Sequence, residues 1–89
     1  MNLMYLETKD AFLVRATMIE DNVDIMIHCA VNDLLAKDST DFFNELVYEI
    51  KSNRGRELES QHLDDVSRFV CMLYCRLHER FDPREDPCE

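Results

Sequence analysis

The stretch Val23-Asp24-Ile25-Met26-Ile27-His28-Cys29-Ala30-Val31 decides between two folds. Positions 23, 25, 27, 29 and 31 are all apolar. A period of two marks a half-buried strand, and the β-branched Val23, Ile25, Ile27 and Val31 suit one. Upstream, Ala11 to Ile19 is also rich in strand formers. The rival reading is helical: Phe12, Ala16, Ile19, Val23, Met26 or Ile27, Ala30 and Leu34 share a face at a 3.6-residue period, which would make the whole chain an all-α bundle.

Register favours the strands. With Asp21-Asn22 as a two-residue hairpin loop, Met18 pairs with Ile25, Ala16 with Ile27, Val14 with Cys29 and Phe12 with Val31. One face is then wholly apolar. A three-residue loop would instead put Arg15 and Thr17 on the face of Ile25 and Ile27. A further turn around Thr8-Lys9-Asp10 pairs Leu6 with Phe12 and Met4 with Val14, adding a first strand with the same inner face.

Beyond this region two helices are expected, joined to the strands through Asn32 to Ser39. Ser39 or Thr40 caps the first, and Phe42, Phe43, Leu46, Val47 and Ile50 form its buried arc. It ends near Asn53, and Arg54-Gly55-Arg56 makes the turn. The second runs from Ser60, a candidate N-cap, to Phe81. Its Leu63, Val66, Phe69, Val70, Leu73, Leu77 and Phe81 fall within an arc of about 120° on a helical wheel. The fold expected is α+β: a three-stranded antiparallel meander with two C-terminal helices on one face. Residues 1–82 form a single domain, and 83–89, charged and holding both prolines, form a frayed tail.

Charge then narrows the function. With 19 acidic against 10 basic residues the chain carries −9, which argues against direct contact with nucleic acid or an anionic membrane. No apolar run approaches the ~18 residues that would span a bilayer. The N-terminus lacks the basic start and long apolar core of a signal peptide, and Cys29, Cys71, Cys75 and Cys88 read as thiols of a cytoplasmic protein.

The acids are not evenly spread. Between Glu20 and Glu49 lie eight of them and one base, Lys37. Asp41, Glu45 and Glu49 recur every four residues within about 80° of the wheel, opposite the phenylalanines, and Asp38 extends the ridge. Glu20, Asp21 and Asp24 cluster at the hairpin. This pattern is either a solvated face or a surface that imitates the phosphates of nucleic acid. Lys51, Arg54 and Arg56 answer helix carbonyls together with Glu57 and Glu59.

Two further features compete. Cys71, Cys75 and His78 share a helix face, and with His28 or Cys29 they offer zinc-type ligands, although no Cys-x-x-Cys pair from a turn is present. Packing is the simpler account, and no metal or cofactor is expected. The outer face of the sheet, read as Leu3, Tyr5, Leu13, Thr17, Ile19, Met26 and Ala30, is more apolar than solvent requires, so Tyr5, Leu13, Ile19 and Met26 mark a self-association surface. No nucleophile–base–orienter set occurs, and Gly55 is the only glycine, so no phosphate-cradling loop exists.

The function expected is therefore binding, not catalysis. A small acidic inhibitor, of the kind phages, plasmids or immunity systems encode, would occlude a basic site on a nucleic-acid-handling protein. The alternatives are a homodimeric assembly module and a small metal-dependent regulator.

Overall fold

Period-two alternation wins over the helical reading. In the computed structural model, which describes residues 1–81, strands β1 (Asn2–Glu7), β2 (Ala11–Met18) and β3 (Val23–Ala30) form an antiparallel sheet in the order β1-β2-β3. Helices α1 (Val31–Ala36), α2 (Ser39–Arg54) and α3 (Ser60–Phe81) follow. The fold is α+β, as the sequence implies. The tail 83–89 and Cys88 lie outside the described residues.

The inner face of β2 is the centre of the core. Phe12, Val14, Ala16 and Met18 are buried there beneath Phe42, Leu46 and Ile50 of α2 and Val66, Phe69, Val70, Leu73 and Leu77 of α3. Deleting any of the larger ones would leave a cavity at the layer boundary.

The β2–β3 register is a correction. Met18 pairs with Val23, Ala16 with Ile25, Val14 with Ile27 and Phe12 with Cys29, two residues from the expected alignment. A type I′ loop needs positive φ at both central residues. Only Asn22 has it (φ 57°), closing a 3₁₀ turn over Ile19–Asp21 with its N–H donating to the Ile19 carbonyl at 3.2 Å. A slide of two preserves parity, so the apolar face is the one expected.

On β1 the slip is one residue, and it exchanges the faces. Glu7 pairs with Phe12, Tyr5 with Val14 and Leu3 with Ala16. Thr8 sets this: its N–H donates to the Ala11 carbonyl (2.8 Å) and its Oγ1 accepts from the Ala11 N–H (3.1 Å), closing the chain over Lys9-Asp10. Leu3 and Tyr5 therefore point inward, Tyr5 against Phe12 and Phe69 with ring centroids 5.5 and 6.2 Å apart. Met4 and Leu6, expected inside, are 52% and 63% exposed.

The caps also differ from expectation. Asp38, not Ser39 or Thr40, caps α2, accepting from the Asp41 N–H at 2.9 Å. Gly55, at φ 87°, ends the helix by donating to the Lys51 carbonyl at 2.8 Å. Ser60 is the first residue of α3 rather than its cap, and the preceding Glu59 carbonyl accepts from Leu63. Tyr74 ties α3 to the α1–α2 connection, its hydroxyl donating to the Leu34 carbonyl at 3.1 Å.

Candidate partner-binding surface

The acidic surface begins where α1 hands over to α2. Asp38 is spent partly on the cap, and Asp41 lies in the first turn, where the helix dipole favours an anion. Both are exposed. One turn on, Glu45 takes both oxygens to Lys37 Nζ at 2.8 Å, which raises the lysine pKa through that hydrogen bond. Glu49 is exposed and has no ion-pair partner among the described residues.

The hairpin acids behave differently. Asp21 accepts from Arg54 Nε at 2.9 Å and from Arg56 at 3.0 Å, and it is largely shielded. The Arg56 contact, ahead of Arg54, holds its carboxyl below the usual range against the opposing effect of burial. The Arg54 side chain is only 2% exposed and also reaches Glu59 and the Glu57 carbonyl. Asp21 is thus a strut between the β2–β3 turn and the α2–α3 turn. Asp24 holds Arg15 in a two-pronged bridge at 3.0 and 2.9 Å on the outer sheet face. That bridge lowers its pKa. Of the three hairpin acids, Glu20 alone is exposed without an ion pair among the described residues.

The same pairing recurs across the molecule. Among the described residues Arg15, Lys37, Lys51, Arg54, Arg56, Arg68, Arg76 and Arg80 all stand in ion pairs, Arg76 and Arg80 jointly on Glu7. Among the described residues the carboxylates without an ion pair include Asp33, Asp38, Asp41 and Glu49 along the α1–α2 segment, with Asp10, Glu20 and Asp64 standing apart from them.

Sequence reasoning overlooked Tyr48. It lies on the polar side of α2 between Glu45 and Glu49 and is 63% exposed. An aromatic residue off the apolar arc was a visible signal. With Asp33, Lys37, Asn44, Glu45 and Glu49 it borders a hollow of about 500 Å³ that reaches Ile27, His28 and Cys29 of β3.

The self-association set divides. Leu13 and Met26 lie on the outer sheet face, Tyr5 is inside, and Ile19 stands in the hairpin turn at 88% exposure. Met4 and Leu6 take the vacated places, so apolar side chains surround Arg15 on the outer face. The wide apolar arc of α3 is only partly used. Tyr74 is buried, whereas Cys71, Met72 and Cys75 are exposed along a groove of about 1430 Å³ shared with Leu35 and Phe43.

Cys71, Cys75 and His78 border the same groove, whereas His28 and Cys29 belong to β3. His28 projects from the outer face, while Cys29 is buried on the inner one, its thiol pushed up to about 11 by burial. His78 packs on Tyr74 at 6.0 Å. Among the described residues no three His, Cys, Asp or Glu side chains are grouped to hold a metal ion. No described helix is long and apolar enough to cross a membrane. Compared with protein-family models, curated proteins and solved structures, the chain matches none.

Proposed function

We propose that this protein is an acidic binder that works by occupancy: Asp38, Asp41, Glu45 and Glu49 dock into a basic site of a partner that otherwise holds nucleic acid. One observation carries the reading. The described arginines are all engaged with acids, and four of the described carboxylates left without an ion pair, Asp33, Asp38, Asp41 and Glu49, follow one another along the α1–α2 segment, the others standing apart as Asp10, Glu20 and Asp64. The exposed carboxylates of α2 rise by roughly 6 Å per step along the helix, a ladder that Lys and Arg side chains of a phosphate-binding groove can meet. Tyr48 supplies an anchor, because a guanidinium stacks on its ring while Glu45 and Glu49 flank it. Glu20 is the second contact, while Asp21 and Asp24 act within the fold.

Competition tests this. The partner, isolated by crosslinking in the native host, is saturated with the protein and offered its nucleic acid. Loss of nucleic-acid binding, reversed by salt, is the expected result. A stable ternary complex overturns the proposal.

A second reading has its own support. The outer sheet face exposes Met4, Leu6 and Met26 around Leu13 and Arg15, apolar area suited to a second copy. Light scattering at 10.6 kDa over a wide concentration range would reject it.

A further inference from the structure

Strand β3 is an edge of the sheet, and Asp24, near its start and turned to Arg15, is its one charged residue. It runs eight residues, Val23–Ala30, with every residue paired to β2 and no bulge. It contains no Lys, Arg or Pro, the residues by which exposed edges are usually kept from pairing. Among the described residues no backbone hydrogen bond reaches it from its open side, apart from a 3.9 Å approach of its own Cys29 Sγ to the Ile27 carbonyl.

Directly beside this edge lies the hollow of about 500 Å³. Ile27 and Cys29 point to the inner face and His28 to the outer one, yet all three line it, so the hollow wraps around the edge. Its far wall is α2, with Glu45, Tyr48 and Glu49, and Asp33 stands at its α1 end.

We infer that β3 accepts an extended basic segment of a partner protein as a fourth strand, its Lys or Arg side chains entering the hollow toward Glu45, Glu49 and Asp33. The inference deepens the proposed function and rests on its acidic surface. Backbone pairing supplies the register-independent part of such binding, and alternate side chains supply selectivity. The spacings are commensurate: alternate residues of a strand are roughly 6.8 Å apart, and carboxylates four residues apart on a helix rise about 6 Å. A second copy of this chain is the wrong occupant, because its own Glu45 and Glu49 would be brought against these. The β1 edge offers no equivalent. It is shorter, and its Glu7 is already held by Arg76 and Arg80.

The probe is a capped peptide of about ten residues alternating Lys and Val, long enough to match one strand. Its controls are the same peptide N-methylated at alternate amides, and a helix-forming Lys–Ala peptide of equal charge. Binding is followed by amide chemical shifts and hydrogen exchange of the labelled protein. The strand peptide should shift and protect amides of Val23–Ala30. Methylation of its edge-facing amides should weaken it at least about tenfold, and so should E45Q with E49Q. Equal binding by all three peptides, still salt-dependent, overturns strand addition while leaving the acidic surface as the docking site. Binding that ignores both salt and the Gln substitutions overturns the two readings together. No binding by any peptide overturns the inference, and the competition assay then judges the proposed function by itself.

Discussion

Glu49→Lys separates the acidic surface from the scaffold more cleanly than any other single change. Glu49 is exposed, has no ion-pair partner among the described residues, and follows Glu45 by one turn of α2. A like-charge pair at that spacing costs a helix about 0.2–0.5 kcal/mol, and an acid four residues before a lysine stabilises it by a similar amount. Because Lys37 already bridges Glu45, only part of these gains is available, and the substitution should stabilise the protein by about 0.2–0.5 kcal/mol, or about 1–4 °C in Tm for a domain of this size. Glu45→Lys is the instructive contrast. It also creates pairs with Asp41 and Glu49, but it breaks the bridge to Lys37 and sets two lysines against each other. Its net effect on stability should be near zero. Urea or thermal melts followed by circular dichroism measure both variants, and the competition assay measures their affinity for the partner. Both should bind less well, by roughly tenfold for each reversed charge. If Glu49→Lys destabilises the fold, the charge accounting on α2 is wrong. If it is stabilised and binds the partner with unchanged affinity, the ridge is only solvated surface.

Val14→Asp should unfold the protein, because it places an unpaired charge in the fully buried centre of β2, whereas Thr17→Asp on the outer face should leave the circular dichroism spectrum unchanged. Burial, first among its causes, pushes the Tyr74 hydroxyl up to about 12, and it pushes the Cys29 thiol up to about 11, from ordinary values of 10.0 and 9.0. The unfolded chain loses these protons first, so stability complete below about pH 9 declines as pH rises through that window. Urea melts of Tyr74→Phe combined with Cys29→Ala should decline less over this range than the parent, and an equal decline would refute the assignment. Tyr48→Ala should weaken partner binding with little change in Tm, as read by the same melts and the competition assay. Glu at Leu6 or Met26 should convert any self-associated form to monomer without loss of fold, a shift that light scattering detects.

The strand periodicity was legible because parity needs only alternation, and every apolar odd position from 23 to 29 faces the helices or their edge. Register was not, because it depends on contacts far along the chain. Asn22 is the single residue that takes positive φ in that turn, and Asp21 beside it is held by Arg54 and Arg56, more than thirty residues away. β1 was ambiguous for a different reason. Leu3 and Tyr5 on one parity and Met4 and Leu6 on the other are both apolar, so hydrophobicity chooses neither, and the Thr8 hydroxyl decides.

The acidic surface shows the same division. Its ladder follows from helix geometry alone, whereas its effective charge depends on which bases the fold brings to it. Asp21 and Asp24 look like part of the surface in sequence, and tertiary pairing removes them from it. Glu45 is halfway: neutralised by Lys37, it still borders the hollow at β3, where an incoming base would compete with that lysine. Binding at the hollow and release of Lys37 are then one event, and part of the electrostatic gain from the incoming cation goes to displacing the internal one. Among the described residues Asp33, Asp41 and Glu49 have no such internal competitor in a bridge. An incoming base gains most at these positions, and they are where a partner's affinity should be most sensitive to substitution.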